Sequence, residues 1–230
     1  MGVIYLIRHG QASFGRSDYD ELSAVGHEQG RILGAALKQR IPRVDAVVSG
    51  GMKRHRQTAD ACLEAMGLPP EMQETAGFRE YDHDEIIVRH EPRYAQPEAL
   101  MADLAKSPEP RRAFQAMFGQ AMERWIEGRH DADYTESWTT FHRRCNQALE
   151  QLIAALGASK TALVFTSGGV ISAICRELMN LPDLQAYRLN LTLANCGVTK
   201  VIYSERAKYL SSFNEHAHFE GAHHKLITYR

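Results

Sequence analysis

Val3-Ile4-Tyr5-Leu6-Ile7-Arg8-His9-Gly10 is the stretch that decides the fold class. An apolar run rich in β-branched residues ends abruptly on Arg8-His9-Gly10. So short a run reads as a buried strand, not a helix. The same grammar recurs twice. Asp45–Ser49 (DAVVS) runs into Gly50-Gly51, and Ala162–Thr166 (ALVFT) runs into Ser167-Gly168-Gly169.

Helical spacing follows each strand. Ile32, Leu33, Ala36 and Leu37 share one face, with Ser23 as the N-cap candidate and Pro42 as the stop. Ala59, Cys62, Leu63 and Met66 form a second stripe, closed by Gly67 and Pro69. Val170, Ile171, Ile174 and Leu178 form another, and Phe141 to Leu156 a helix ending at Gly157. Strand-turn-helix units in succession predict an α/β fold, a three-layer α/β/α sandwich on a mostly parallel sheet. Leu189–Leu193, Val198–Tyr203 and Tyr209–Phe213 read as closing strands.

The rhythm breaks at about 84–135, where four prolines fall between 92 and 110. Phe114, Met117, Phe118, Ala121, Met122 and Trp125 then fit one amphipathic helix. The chain reads as a single domain over 1–230 with a helical insertion. The stripe reads as core. Tyr81, Arg89, Arg93, Tyr94 and Trp125 are the insertion's candidates for shaping a ligand pocket.

Composition narrows the function classes. Lys and Arg total 27 against 28 for Asp and Glu in 230 residues, a net charge of −1. Such balance argues against a dedicated nucleic-acid surface. No stretch approaches the roughly 20 apolar residues of a membrane span, and residues 3–7 are too few for a secretory core segment. Leu6 excludes a myristoylation signal. Cys62, Cys145, Cys175 and Cys196 form no CxxC pair, which excludes a zinc knuckle or a thioredoxin-type motif and suggests a reducing, cytoplasmic location.

In open α/β sheets ligands bind beyond the carboxyl ends of the strands. Those ends carry Arg8, His9 and Gly10, then Ser49 followed by Lys53, Arg54 and Arg56, then Thr166 to Gly169. Arg forks match phosphate oxygens, and a glycine-rich turn at a helix start favours an anion. A histidine between arginines stays neutral near pH 7, and a neutral imidazole is a nucleophile toward phosphorus. Each piece alone is common. Together at successive strand ends they point to phosphoryl transfer.

On these residues the chain resembles the histidine phosphatase superfamily, the phosphoglycerate-mutase-like family, over nearly its whole length. Leu6 to Gly10 is similar to the family's RHG signature. Leu22-Ser23 with Gly26 and Gln29, Ser49 with Met52 to Arg54, Gln57 to Ala59, Phe78 to Glu80, Asn195, and Phe213-Asn214 with His218 resemble its later segments. The resemblance implies a metal-independent phosphomonoester hydrolase. His9 would be the nucleophile and Glu80 the acid, with Asp82, Asp84 and Glu85 as rivals to Glu80. Arg8, Arg54, Ser167 and Gly168 would bind phosphate, and Gln11 and Ser13 the rest of the substrate. The acid role needs a Glu protonated in the complex, which an arriving phosphate dianion favours. No cofactor or metal is implied, and the partner is a small phosphomonoester or a phosphoprotein.

Two departures stand out. Ser167 occupies the position of the family's second histidine, a hydrogen-bond donor to the phosphoryl group. A lost donor costs ~10²–10³ in rate, so slow or atypical turnover is expected, and Ser167→His should raise it. In the loop after Gly10, Gln11-Ala12 replace the usual Glu-Thr, and Gly15 falls where a phosphate-holding Asn is common. The loop also lacks the cofactor-dependent mutase pattern, which favours phosphatase over mutase.

Three other readings compete. Ser167 at a strand–helix turn suggests a serine hydrolase, but Phe165 breaks the G-x-S-x-G elbow. His216, His218, His223 and His224 suggest a metal site, without framing carboxylates or cysteines. A non-catalytic phospho-ligand binder or scaffold on the same fold is the third. Against it, His9, Arg8, Arg54 and Glu80 all remain.

Overall fold

The computed structural model describes residues 1–13 and 20–229. Six strands make one sheet: β1 (Gly2–Arg8), β2 (Ala46–Ser49), β3 (Gln73–Glu74), β4 (Thr161–Thr166), β5 (Val198–Tyr203) and β6 (Lys208–Glu215), in the order β3-β2-β4-β1-β5-β6. β3, β2, β4 and β1 run parallel, and β5 and β6 complete the edge antiparallel. The fold is α/β with a mostly parallel sheet flanked by helices. β4 lies between β2 and β1 and is buried from Ala162 to Thr166, which explains its continuous apolar run.

The chain divides into two compact units, Met1–Glu80 with Arg144–Arg230, and Tyr81–Arg143. In the first, α1 (Ala24–Arg40) opens at Ser23, whose Oγ accepts from the Gly26 N–H at 3.1 Å. α2 (Lys53–Met66) closes on Gly67, left-handed at φ 72°. The helices meet through glycine. A Cβ at Gly34 would sit 2.2 Å from the Cys62 carbonyl oxygen, so only glycine permits this approach. Leu33, Leu37, Cys62, Leu63 and Met66 form the core beneath them with Ile7, Leu163, Phe165 and Val198. Fully burying a side chain of this size stabilises by about 1.5–3 kcal/mol. Strand alternation sends Ile4, Leu6, Ala162 and Val164 to the opposite face, and all four are fully buried.

The second unit holds α3 (His83–His90), α4 (Pro97–Ala105) and α5 (Pro110–Ile126). Asp82 caps α3 by accepting from the Asp84 and Glu85 amides, each at 3.0 Å. Trp125 is the unit's centre. Its ring lies 5.1–6.5 Å from those of Tyr81, Tyr134, Trp138 and Phe141, and its indole N–H donates to Glu136 O at 2.9 Å. Of the α5 stripe, Ala121, Met122 and Trp125 are buried. Tyr81 and Trp125 are thus packing residues here. Arg89 pairs with Glu85, Arg93 with Glu91 and Asp103, and Tyr94 donates to Asp103.

α6 (Trp138–Leu156) leads back to β4, followed by α7 (Gly168–Met179) and α8 (Asp183–Thr192). α8 corrects one expectation. Leu189–Leu193 alternates apolar and polar like a strand, yet Leu189 to Thr192 complete a helix begun after Pro182. Ala186 and Tyr187 supply its buried side, so tertiary packing overrides the local period.

Candidate active site

Three strand ends meet in adjacent rungs. The His9 N–H donates to Thr166 O at 2.9 Å, and the Gly50 N–H to Phe165 O at 3.0 Å. The turns after β1, β2 and β4 therefore open side by side. His9, Arg8, Arg54, Ser167 and Glu80 all belong to the first unit.

His9 is held from both ends. Its Nδ1–H donates to Gly10 O at 2.7 Å, which leaves the Nε2 lone pair available. Its carbonyl accepts from Asn195 Nδ2 at 3.0 Å. Behind Asn195, Thr228 Oγ1 donates to Asn195 Oδ1 at 2.9 Å and accepts from Gln29 Nε2 at 2.8 Å. Gln29 Oε1 accepts from the Gln11 N–H at 2.8 Å. The Gly10 N–H donates to Thr58 Oγ1 at 2.9 Å. The loop that carries His9 is thus anchored to α1, to α2 and to the segment near residue 228.

Burial, then the charges of Arg54 and Arg8 and the nearby His55, hold the His9 imidazole well below the ordinary histidine range. The sequence anticipated the arginines; burial is the larger cause. Arg54 is 5% exposed and Arg8 is 9% exposed. Arg54 Nη1 donates to Asp20 Oδ1 at 2.7 Å, and the Arg54 Nε has no hydrogen-bond partner among the described residues. Arg8 Nη1 donates to the carbonyls of Leu193 and Tyr229.

Glu80 Oε2 accepts from the Gly169 N–H at 3.0 Å. The segment before it is pinned twice. Thr166 Oγ1 donates to Phe78 O at 2.7 Å. Arg144 Nη1 reaches the carbonyls of Ala76, Gly77 and Arg79 at 2.9–3.0 Å. Asp82 is occupied in capping α3 and Glu85 in binding Thr135, so these two rivals to Glu80 have structural roles. Asp84 is exposed beside His83.

Of the remaining candidates, Gln11 Oε1 accepts from Ser23 Oγ at 2.9 Å. Ser13 is buried, with its N–H on Glu21 O. Gly168 packs against the Asn190 side chain, where a Cβ would meet Oδ1 at 2.1 Å. Gly15 lies outside the described residues. His216 and His224 bond the carbonyls of Asn214 and Gly221, and among the described residues no three His, Cys, Asp or Glu gather as a metal site. No helix among the described residues is long and apolar enough to cross a membrane.

Sequence reasoning missed His55. It is fully buried, and its Nε2 lies 2.7 Å from Ser167 Oγ. The signal was present: His55 stands four residues before Ala59, one turn back along the stripe of Ala59, Cys62 and Met66. Arg144 and Asp20 were missed as well, because both act through contacts distant in sequence.

Similar folds recur among solved structures. Phosphoglycerate mutase from Bacillus anthracis superposes with a TM-score of 0.62 at 18% identity, covering 94% of each chain. Phosphoserine phosphatase from Entamoeba histolytica, in complex with 3-phosphoglyceric acid, gives 0.65 at 18%, covering 95% of this chain and 99% of that one. A mycobacterial glucosyl-3-phosphoglycerate phosphatase with inorganic phosphate gives 0.62 at 21%, covering 94% and 98%. No curated protein sequence matches the chain. The family model of the histidine phosphatase superfamily, branch 1, matches residues 4–126 and 106–216. With that match spanning most of the sequence, the chain belongs to the histidine phosphatase superfamily.

Proposed function

We propose that the protein is a phosphomonoester hydrolase working through a phosphohistidine on His9. One observation carries the reading: His9 spends its Nδ1–H on Gly10 O and is held neutral, so Nε2 is a nucleophilic base within the field of Arg54 and Arg8. In the first step Nε2 forms the N–P bond as the ester P–O bond breaks, and the Glu80 carboxyl gives its proton to the leaving oxygen. In the second, the Glu80 carboxylate takes a proton from water. The water oxygen bonds phosphorus, the N–P bond breaks, and inorganic phosphate leaves. Arg8 and Arg54 neutralise the phosphoryl oxygens throughout.

The substrate is a small phosphomonoester in this reading. Structural neighbours crystallised with 3-phosphoglyceric acid and with inorganic phosphate support the phosphate-binding part of it. We read 1–230 as one working domain with the helical unit inserted. The four free, buried cysteines fit a reducing cytoplasmic location.

The test is hydrolysis of p-nitrophenyl phosphate in EDTA by the native chain and by His9→Ala. Turnover that survives EDTA and vanishes in His9→Ala supports the reading. Tight phosphate binding without turnover on a panel of phosphomonoesters would favour the non-catalytic binder.

A further inference from the structure

Ser167 stands at the N-cap of α7, yet its side chain makes no capping bond. A serine there ordinarily accepts from the second or third amide of the helix. Here the Gly169 amide is already taken by Glu80. The Ser167 hydroxyl turns instead to His55, with Nε2 2.7 Å from Oγ. Both residues are fully buried. The His55 ring lies 5.8 Å, centroid to centroid, from that of His9, at 34° between planes. The nucleophile therefore has a second imidazole as its neighbour, delivered by α2.

The surroundings of His55 assign its tautomer. Its Nδ1 has no hydrogen-bond partner among the described residues. The Gly50 backbone faces that atom so closely that a Cβ built on Gly50 would stand 2.6 Å from it. A proton on Nδ1 would be a buried, unpaired N–H pressed against a Cα–H, and such orphaned donors are rare. A bare lone pair tolerates the Cα–H and even gains a weak contact from it. The proton therefore sits on Nε2 and is donated to Ser167 Oγ. Burial and the charges of Arg54 and Arg79 keep the ring neutral, so it carries only this one N–H. With its oxygen so engaged, Ser167 retains its own hydroxyl proton, which meets no acceptor among the described residues.

We propose that His55 is a positioning residue of this site: its Nε2–H fixes the Ser167 oxygen and aims the Ser167 O–H at a non-bridging oxygen of the transferring phosphoryl group. The proposal rests on the phosphatase reading above. The pair delivers through α2 and a short hydroxyl what one histidine at 167 would deliver from the turn. It also revises the expectation for Ser167→His. An imidazole added at 167 would meet the His55 ring, so a gain requires removing His55 as well.

The experiment compares the native chain with His55→Ala, His55→Gln, Ser167→Ala, the double variant His55→Ala/Ser167→Ala, the exchange variant His55→Ala/Ser167→His, and His9→Ala. Three readouts are taken: turnover of p-nitrophenyl phosphate, affinity for inorganic phosphate, and affinity for orthovanadate, whose five-coordinate form mimics the transition state. His55→Ala and Ser167→Ala should each lower kcat by ~10²-fold and weaken vanadate by a comparable factor. KM and phosphate affinity should stay nearly unchanged. The double variant should be little worse than either single one, because both act through one donor. His55→Gln keeps an N–H within reach of Ser167 and should recover most of the loss, as should the exchange variant.

A purely structural His55 would lower phosphate and vanadate affinity equally and would not be rescued by the exchange; that result overturns the proposal. Native turnover in His55→Ala, with His9→Ala inactive, overturns this proposal and leaves the phosphatase reading standing. Covalent labelling of Ser167 by a fluorophosphonate, with turnover independent of His9, would make Ser167 the nucleophile and overturn both. So would a native chain that neither turns over phosphomonoesters nor binds vanadate.

Discussion

Glu80 Oε2 lies 3.0 Å from the Gly169 backbone nitrogen, which ties the candidate acid to the first turn of α7, beside Ser167. The carboxyl and the Ser167 hydroxyl are therefore carried by one rigid junction, and displacing either should be felt by the other.

Glu80→Gln isolates the proton. The amide oxygen can still accept from Gly169, but no proton can reach the leaving oxygen. For an alkyl phosphate kcat should fall by ~10²–10⁴-fold. For p-nitrophenyl phosphate, whose leaving group departs without a proton, the loss should be far smaller. Steady-state kinetics on both substrates decides it; equal losses would remove Glu80 from the acid role.

In the proposed mechanism His9 attacks as a free base, and its imidazole is held well below the ordinary range by burial and by Arg54 and Arg8. The acidic limb of kcat/KM should consequently lie well below pH 6.5. A limb at 6.5 or above would contradict the arrangement.

The same histidines link stability to pH. His9 and His55 are depressed when folded, and His218 is pushed down to about 4, chiefly by burial. The unfolded chain takes up protons near pH 6.5 that the folded chain refuses. Their contribution is full above 6.5 and falls as pH drops below it, by up to about 1.4 kcal/mol per pH unit per histidine. Urea midpoints at pH 7.5 and 5.0 should differ in that direction, and His9→Gln should reduce the difference.

Asp20 occupies Arg54 and also accepts from the Lys53 N–H at 2.9 Å. Asp20→Asn removes a negative charge beside the proposed phosphate site. Inorganic phosphate should bind several-fold tighter at low salt, with the gain fading as salt screens it. Weaker binding, measured by calorimetry, would mean that Asp20 chiefly orients Arg54.

Gly34→Ala sets a methyl 2.2 Å from the Cys62 carbonyl oxygen, where neither helix backbone can yield cheaply. A destabilisation of about 1–3 kcal/mol follows from such overpacking. Denaturant unfolding should show it while the pH profile keeps its shape.

Much of the fold was legible because its signals are local. Ser23 caps α1 and Gly67 ends α2 as read, since a side-chain oxygen and a left-handed turn act within a few residues. β1, β2 and β4 announced themselves by apolar runs too short for helices. Leu189–Leu193 misled because its alternation imitates a strand, while its helix is held by Ala186 and Tyr187. His55 was overlooked among Lys53, Arg54 and Arg56, a run that reads as a solvated charged face; Arg54 and His55 are in fact buried.

By itself the sequence determined the alternation of strands and helices and the clustering of His9, Arg8, Arg54 and Ser167 at strand ends, because strand parity and turn chemistry are written in neighbouring residues. Only the tertiary structure decided which partners complete them. The Asn195 contact to His9 spans 186 positions, the Gly169 contact to Glu80 spans 89, and the Ser167 contact to His55 spans 112. Those pairings arise when β1, β2 and β4 align in register, and no local pattern encodes the register of strands so far apart.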